Sequence, residues 1–300
     1  MLFWERLKMG KSFWNLLRTD SAHTMTITRA KAVLFFVFIL FSAAVAQNGD
    51  SQNNKAQEIL KKAKAAVGKK TDLAAAKAFT MVYESSGRIA FQNKIFETNA
   101  KVEVNLSSFD KIRASKFIQH FSNGKPTNTE KQEFTLNGDG FYLDMNVFGI
   151  NGEKIDFNVK TDVDKEQRKK SFRNEIFHLF FPFTLDAVEY FPMNFSYVGT
   201  AESKDGKAEV LELAAPNKTT YRLFFDAKTY LLLMMTETRT SEQNKTFEKK
   251  YFYSDYQEKE GLLFATKIVV ENNGVVVEER TIKDLKVNPT FKPNSFDVKE

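Results

Sequence analysis

From Phe79 onward the hydropathy of the chain alternates with a period of two, and the alternation returns in run after run. In the clearest run, Phe96, Thr98, Ala100, Val102, Val104 and Leu106 point one way, and Glu97, Asn99, Lys101, Glu103 and Asn105 the other. A strand with one apolar and one polar face is half-buried, as in an antiparallel sheet with a core on one side and water on the other. Similar runs fall at 79–91, 111–121, 130–136, 139–148, 195–202, 208–214, 219–226, 230–239, 246–256, 263–272 and 275–286. Turn signals separate many of them: Asn137-Gly138-Asp139-Gly140, Lys204-Asp205-Gly206, and Asn272-Asn273-Gly274 between two β-branched runs. Asn-Gly supplies the positive φ angles that a two-residue hairpin turn requires. The pattern predicts a long antiparallel meander.

Two segments depart from that period. Ala56, Ile59, Leu60, Ala63 and Val67 repeat as one face of a helix, with Gly68 placed to end it as a C′ glycine. From about Asp162 to Phe191 the strand period vanishes again. There Phe172, Ile176, Phe177, Leu179, Phe180 and Phe181 fall on a wide helical stripe that Pro182 stops, and Thr184 to Phe191 offers a further short helical piece. The expected class is mainly β with helices (α+β): a curved antiparallel sheet covered by an N-terminal helix and a helical insertion.

Residues 25–46 read as a secretory signal peptide. Arg29 and Lys31 form its basic start, Ala32 to Phe41 its apolar core, and Ala44-Val45-Ala46 a small-residue cleavage site before Gln47. An apolar run of about ten residues is short of the roughly 20 that a spanning helix needs. Residues 1–24, which hold both Trp4 and Trp14, precede the natural start at Met25 and read as an extension called too early. No Cys follows the apolar core, which closes the acylated-lipoprotein route. Residues 47–300 are expected to form a single domain.

Without residues 1–46, Lys+Arg falls from 44 to 38 and Asp+Glu from 38 to 36, so the net charge drops from +6 to +2. That balance gives little support to a nucleic-acid partner. The densest basic cluster, Lys165, Arg168, Lys169, Lys170 and Arg173, reads as the wet side of a helix. The chain has no Cys, so neither disulfides nor thiolate metal sites can contribute. His120 and His178 stand alone, and the sequence carries no HExxH, GxSxG or GxxxxGK[ST] motif. Asp139 and Asp226 fit turn geometry better than catalysis. No catalytic residue, metal site or cofactor is expected, and the chain reads as a non-enzyme.

The order of helix, long strands, helical insertion and further strands in a signal-bearing chain resembles the LolA-like family of periplasmic lipoprotein carriers, related to LolB-, LppX- and RseB-type domains. Three stretches carry the resemblance: Leu136-Asn137-Gly138-Asp139-Gly140-Phe141-Tyr142; Leu223-Phe224-Phe225-Asp226-Ala227-Lys228-Thr229-Tyr230-Leu231; and the tail from Tyr253-Ser254-Asp255-Tyr256 through Val287-Asn288-Pro289. The similarity covers most of residues 53–300, and its motifs describe hairpins, so they specify fold better than function. The resemblance implies an incomplete β-barrel whose apolar cavity takes acyl chains of a lipid or lipoprotein, in the periplasm, in company with an inner- or outer-membrane partner protein. Mapped here, Phe96, Val102 and Val104 would floor the cavity, and Phe172, Ile176, Phe177, Phe180 and Phe181 would cover it. An alternative on the same fold is a protein-binding regulator or envelope-stress sensor. The family's Arg-Pro pair after its early long strand is replaced by Ser107-Ser108-Phe109-Asp110, so its gating role transfers to no residue.

Overall fold

The computed structural model describes residues 49–69, 73, 75–91, 94–155, 165–181, 183–186, 194–203, 206–215, 219–240 and 245–298. The signal-peptide segment, the extension before it and most of Thr184–Phe191 beyond Asp186 lie outside the described residues. The first described element is helix α1 (Gly49–Val67), followed by β1 (Phe79–Phe91), β2 (Lys94–Ser108), β3 (Lys111–Ser122), β4 (Lys125–Asn137), β5 (Gly140–Gly149) and the short β6 (Lys154–Ile155). Helix α2 (Lys165–Phe180) and a 3-10 turn (Phe183–Asp186) follow. The second block is β7 (Ser196–Ser203), β8 (Gly206–Ala215), β9 (Thr219–Asp226), β10 (Leu232–Thr240), β11 (Thr246–Lys259), β12 (Leu262–Asn272) and β13 (Val275–Val287).

All thirteen strands form one antiparallel sheet in the order β6-β5-β4-β3-β2-β1-β13-β12-β11-β10-β9-β8-β7. Each half is a meander of neighbouring hairpins. The two halves are joined by a single long-range pairing, β1 with β13, from Phe79↔Val287 to Gly87↔Glu278. β6 and β7 stand at opposite ends of the order, so the sheet does not close. The fold class expected from the alternation is the one observed: mainly β, an incomplete barrel with helices α1 and α2 among the described residues.

Turn chemistry fixes the register of the hairpins. Asn123-Gly124, Glu260-Gly261 and Asn273-Gly274 each carry two successive positive φ angles, the signature of a type I′ turn. At the β9–β10 turn Asp226 Oδ1 accepts hydrogen bonds from the backbone N–H groups of Lys228 (3.0 Å) and Thr229 (2.6 Å), as a turn aspartate does.

Helix α1 buries Ala56, Ile59, Leu60, Ala63 and Val67 against the sheet. Gly68 ends it for a different reason from the one expected. It does not adopt a positive φ; it forms a bridge to Leu262, where an added Cβ would meet Leu262 Cδ2 at 2.6 Å. Close backbone approach, not a left-handed cap, is what glycine permits there. The basic cluster on α2 also departs from the expectation of a wholly solvated face. Lys169 is buried and its Nζ reaches the exposed Asp139 at 3.3 Å.

Candidate binding site

Helix α2 presents two unlike stripes to the concave face of the sheet. Phe172, Ile176 and Phe180 recur every four residues and, with Phe177 and Phe181, are buried in the main core. Phe180 packs on Phe79 at 5.5 Å between ring centroids, Phe172 stacks on Phe134 at 5.1 Å, and Phe181 lies 6.0 Å from Phe225. The second stripe, Ser171, Asn174, Glu175 and His178, faces a cavity of about 420 Å³ that is partly open to solvent.

The strands beneath change character along their length in step with the helix. In β3 the inward row begins with buried Ile112 and Ala114 and continues into the cavity with Lys116, Ile118 and His120. In β10 Met235 gives way to Glu237 and Arg239, and in β11 Tyr253 gives way to Tyr251 and Lys249. β13 reaches the same result through a bulge. Val82 pairs with Asp284 but Tyr83 with Ile282, so Lys283 is the extra residue. Beyond it the inward set changes parity, which turns Arg280 and Glu278 into the cavity and leaves Glu279 and Thr281 on the outer side.

The cavity is therefore lined by charge. Glu175 accepts two hydrogen bonds from Lys116 Nζ (2.9 and 2.8 Å) and one from the Tyr83 hydroxyl (3.0 Å). Desolvation acts to raise the Glu175 carboxyl, but the charges of Lys116 and Arg280 and the hydrogen bonds from Lys116 and Tyr83 outweigh it and hold it at about 2. Arg280 donates from Nη2 to Glu278 at 2.8 Å and lies over the Tyr83 ring. Arg239 Nε donates to Glu237 at 2.6 Å. His178 stacks on Tyr251 with centroids 3.9 Å apart, its Nδ1 lies 3.2 Å from Met235 Sδ, and its backbone carbonyl accepts a hydrogen bond from Tyr253. Burial, aided by the Lys249 and Arg280 charges, pushes His178 well below its ordinary pKa, so the ring is neutral near pH 7. His120 pairs with Glu130 at 3.1 Å.

Three residues were expected to floor the cavity. Val102 lines it and Val104 lies in the core cluster. Phe96, which shares their parity, is 41% exposed near the β1–β2 hairpin tip, opposite the exposed Ile89, so it is not part of a buried floor. The five residues expected to cover it, Phe172, Ile176, Phe177, Phe180 and Phe181, fill the core beside the cavity and do not line it. The sequence reading missed Lys116, Glu237, Lys249, Glu278 and Arg280, because a charged residue in an alternating strand reads as outward, and it missed Glu175, which stands on α2 beside the Phe stripe. The available signal was position: Lys116 stands in the same inward row as Ile112 and Ala114.

Among the described residues no group of His, Cys, Asp and Glu is arranged to hold a metal ion. No helix among them is long and apolar enough to cross a membrane.

No family model matches the sequence, and no curated protein matches it significantly. In fold the chain is similar to an outer membrane lipoprotein-sorting protein domain from Vibrio parahaemolyticus, at 12% identity and a TM-score of 0.45, over 83% of this chain and 97% of that one. It is similar to a LolA superfamily protein from Nitrosomonas europaea at 13% identity and a TM-score of 0.45, over 80% of this chain and 96% of that one. A DUF1329 family protein from Desulfovibrio piger matches at 12% identity and a TM-score of 0.42, over 80% of this chain and 96% of that one.

Proposed function

We propose that the protein is an exported, non-enzymatic binding module that shields an acyl chain of a lipid or lipoprotein between α2 and the concave face of the half-barrel. The observation that carries this reading is the cavity at that junction. Its roughly 420 Å³ falls within the size range of small-molecule sites, and Val102, Ile118 and the Tyr83 and Tyr251 rings give it apolar wall next to the Phe stripe of α2. Phe172, Ile176 and Phe180 pack into the core at the apolar end, so a longer chain would have to exchange with these α2 contacts. Apolar burial contributes roughly 25 cal/mol per Å², so even part of one chain gains several kcal/mol against that cost. Export to the periplasm follows from the reading of residues 25–46.

A fluorescent fatty acid titrated into the purified protein tests the proposal. Saturable binding is expected, weakened at least tenfold by Ile118→Trp, which fills the cavity from its wall without touching the core beside it. Absence of saturable binding to the wild-type protein would end the acyl-chain reading. A second reading, contact with a membrane partner protein, is favoured by the exposed apolar tips of two neighbouring hairpins, Ile89 and Phe96 on one and Val275 and Val276 on the other. Co-purification of a stoichiometric membrane protein, lost on replacing those four residues by Ser, is its expected sign.

A further inference from the structure

The ion pairs of the cavity do not use up its positive charge. Glu175 is matched to Lys116, Glu237 to Arg239 and Glu278 to Arg280. Lys249 is left over. Among the described residues no carboxylate lies within ion-pair distance of its Nζ, which sits 4.9 Å from the Tyr251 ring centroid. Arg280, more than nine-tenths buried, donates through Nη2, but its buried Nε finds no acceptor among the described residues. A native fold rarely leaves a buried guanidinium donor unused, and each such group calls for an explanation.

We propose that Lys249 and Arg280 are the donors of an oxyanion site, and that the head group received at the charged end of the half-barrel is a carboxylate or a phosphate. This rests on the reading of the cavity as a ligand site and adds the chemistry of the ligand's polar end. Charge-assisted hydrogen bonds from a guanidinium and an ammonium to one oxyanion are short and strong, and more so away from bulk water. Ser85 and Asn174, in the same lining, supply neutral donors beside them. Burial and the neighbouring Arg280 charge lower the Lys249 pKa against the opposing charges of Glu237, Glu278 and Glu175, and a bound anion would offset them with its own charge. Arg280 reaches the cavity only because of the bulge at Lys283, so the bulge is what gives this end of the barrel its anion chemistry.

The test compares three probes by calorimetry: oleate, oleyl alcohol and inorganic phosphate. Because Arg280 is buried and its loss risks unfolding, the variants are Lys249→Met, which keeps the stem and removes the charge, and Lys249→Arg as the rescue. The wild-type protein is expected to bind oleate at least tenfold more tightly than oleyl alcohol, Lys249→Met to erase that preference, and Lys249→Arg to restore most of it. Equal affinity for oleate and oleyl alcohol, or a preference that survives Lys249→Met, overturns the oxyanion site while leaving the acyl-chain reading intact. Phosphate binding that depends on Lys249, with neither long-chain probe bound, keeps the oxyanion site and removes the acyl chain. If none of the three binds, both proposals fall.

Discussion

The two ends of the half-barrel interior are built on the same strands, under the same helix, and differ only in which side chains the inward rows carry. At one end Phe79, Phe180, Phe183 and Phe264 interlock with ring centroids between 4.7 and 6.0 Å apart. At the other end Lys116, Glu175, Glu237, Lys249, Glu278 and Arg280 face one another, and about 420 Å³ stays open. Flat rings exclude water by packing to the density of an organic crystal. Long charged side chains cannot do so without losing hydration, so they meet as pairs and leave room between them. The described cavity thus lies where charge occupies inward positions of the sheet.

The largest test of that contrast is a pair of substitutions on α2. Phe180→Ala should cost about 3–5 kcal/mol of stability, since a fully buried aromatic ring is lost from a region that cannot collapse around the gap. Ser171→Ala, on the same helix but facing the cavity, should stay within about 0.5 kcal/mol. Urea denaturation midpoints measure both. Similar losses for the two would mean that the charged end is as tightly packed as the apolar one.

Next in size is the Glu175 carboxylate, which ties α2 to the sheet. Glu175→Gln keeps an acceptor for the Tyr83 hydroxyl but leaves Lys116 without its counter-charge, at a cost of about 2 kcal/mol, less than for a fully buried pair because both side chains keep some exposure. The same group sets the response to acid. Its folded pKa of about 2 lies below the ordinary 4.5, so its contribution is complete above pH ~4.5 and is lost as the pH falls toward 2, on the order of 3 kcal/mol in all. His178, whose pKa is depressed, acts earlier: the unfolded ring takes up a proton below pH ~6.5 while the folded one does not, so stability declines from there. Melting temperature followed from pH 8 to pH 3 should fall in two overlapping stages, and Glu175→Gln should flatten only the lower one. A curve that Glu175→Gln leaves unaltered would detach the carboxylate from the stability of this end.

The strands were legible in the sequence because one side of nearly every one faces water. The run expected at 219–226 is β9, and that at 79–91 is β1, residue for residue. The failures have local causes. β4 begins five residues before the expected 130, since Lys125 to Thr129 is polar throughout and Pro126 stands at a register shift, where a missing N–H is tolerated. β6 is two residues long, too short to show any period. For the site, parity placed Val102 and Val104 inward but said nothing of where the cover ends, so Phe96 was carried two turns of the pleat too far into solvent. Alternation also has no means of announcing a bulge, and a one-residue shift exchanges every inward residue for its neighbour. Lys283 does that to β13, which is how Arg280 comes to face the cavity. The helical stripe of α2 was right about burial and silent about what lay beside it.

The smallest expected effect is the most discriminating between the two ends. In a packed apolar core, exchanging one side chain for another of similar length rarely improves stability, because the fit was already close. Lys249 is held under different terms: it is half-buried, it has no carboxylate partner among the described residues, and burial together with the Arg280 charge lowers its pKa. A lysine whose folded pKa is depressed opposes folding while it is protonated, and the opposition fades as the pH rises through the folded value. Lys249→Met keeps most of the stem against Tyr251, removes the charge, and should therefore leave the unliganded protein unchanged or more stable by up to about 1 kcal/mol near pH 7, with the gain disappearing at high pH. Chemical denaturation at pH 7 and pH 10 reads the difference. A clear loss of stability at pH 7 would mean that Lys249 is already neutralised in the free protein, and the charged end would then be as self-sufficient as the aromatic one.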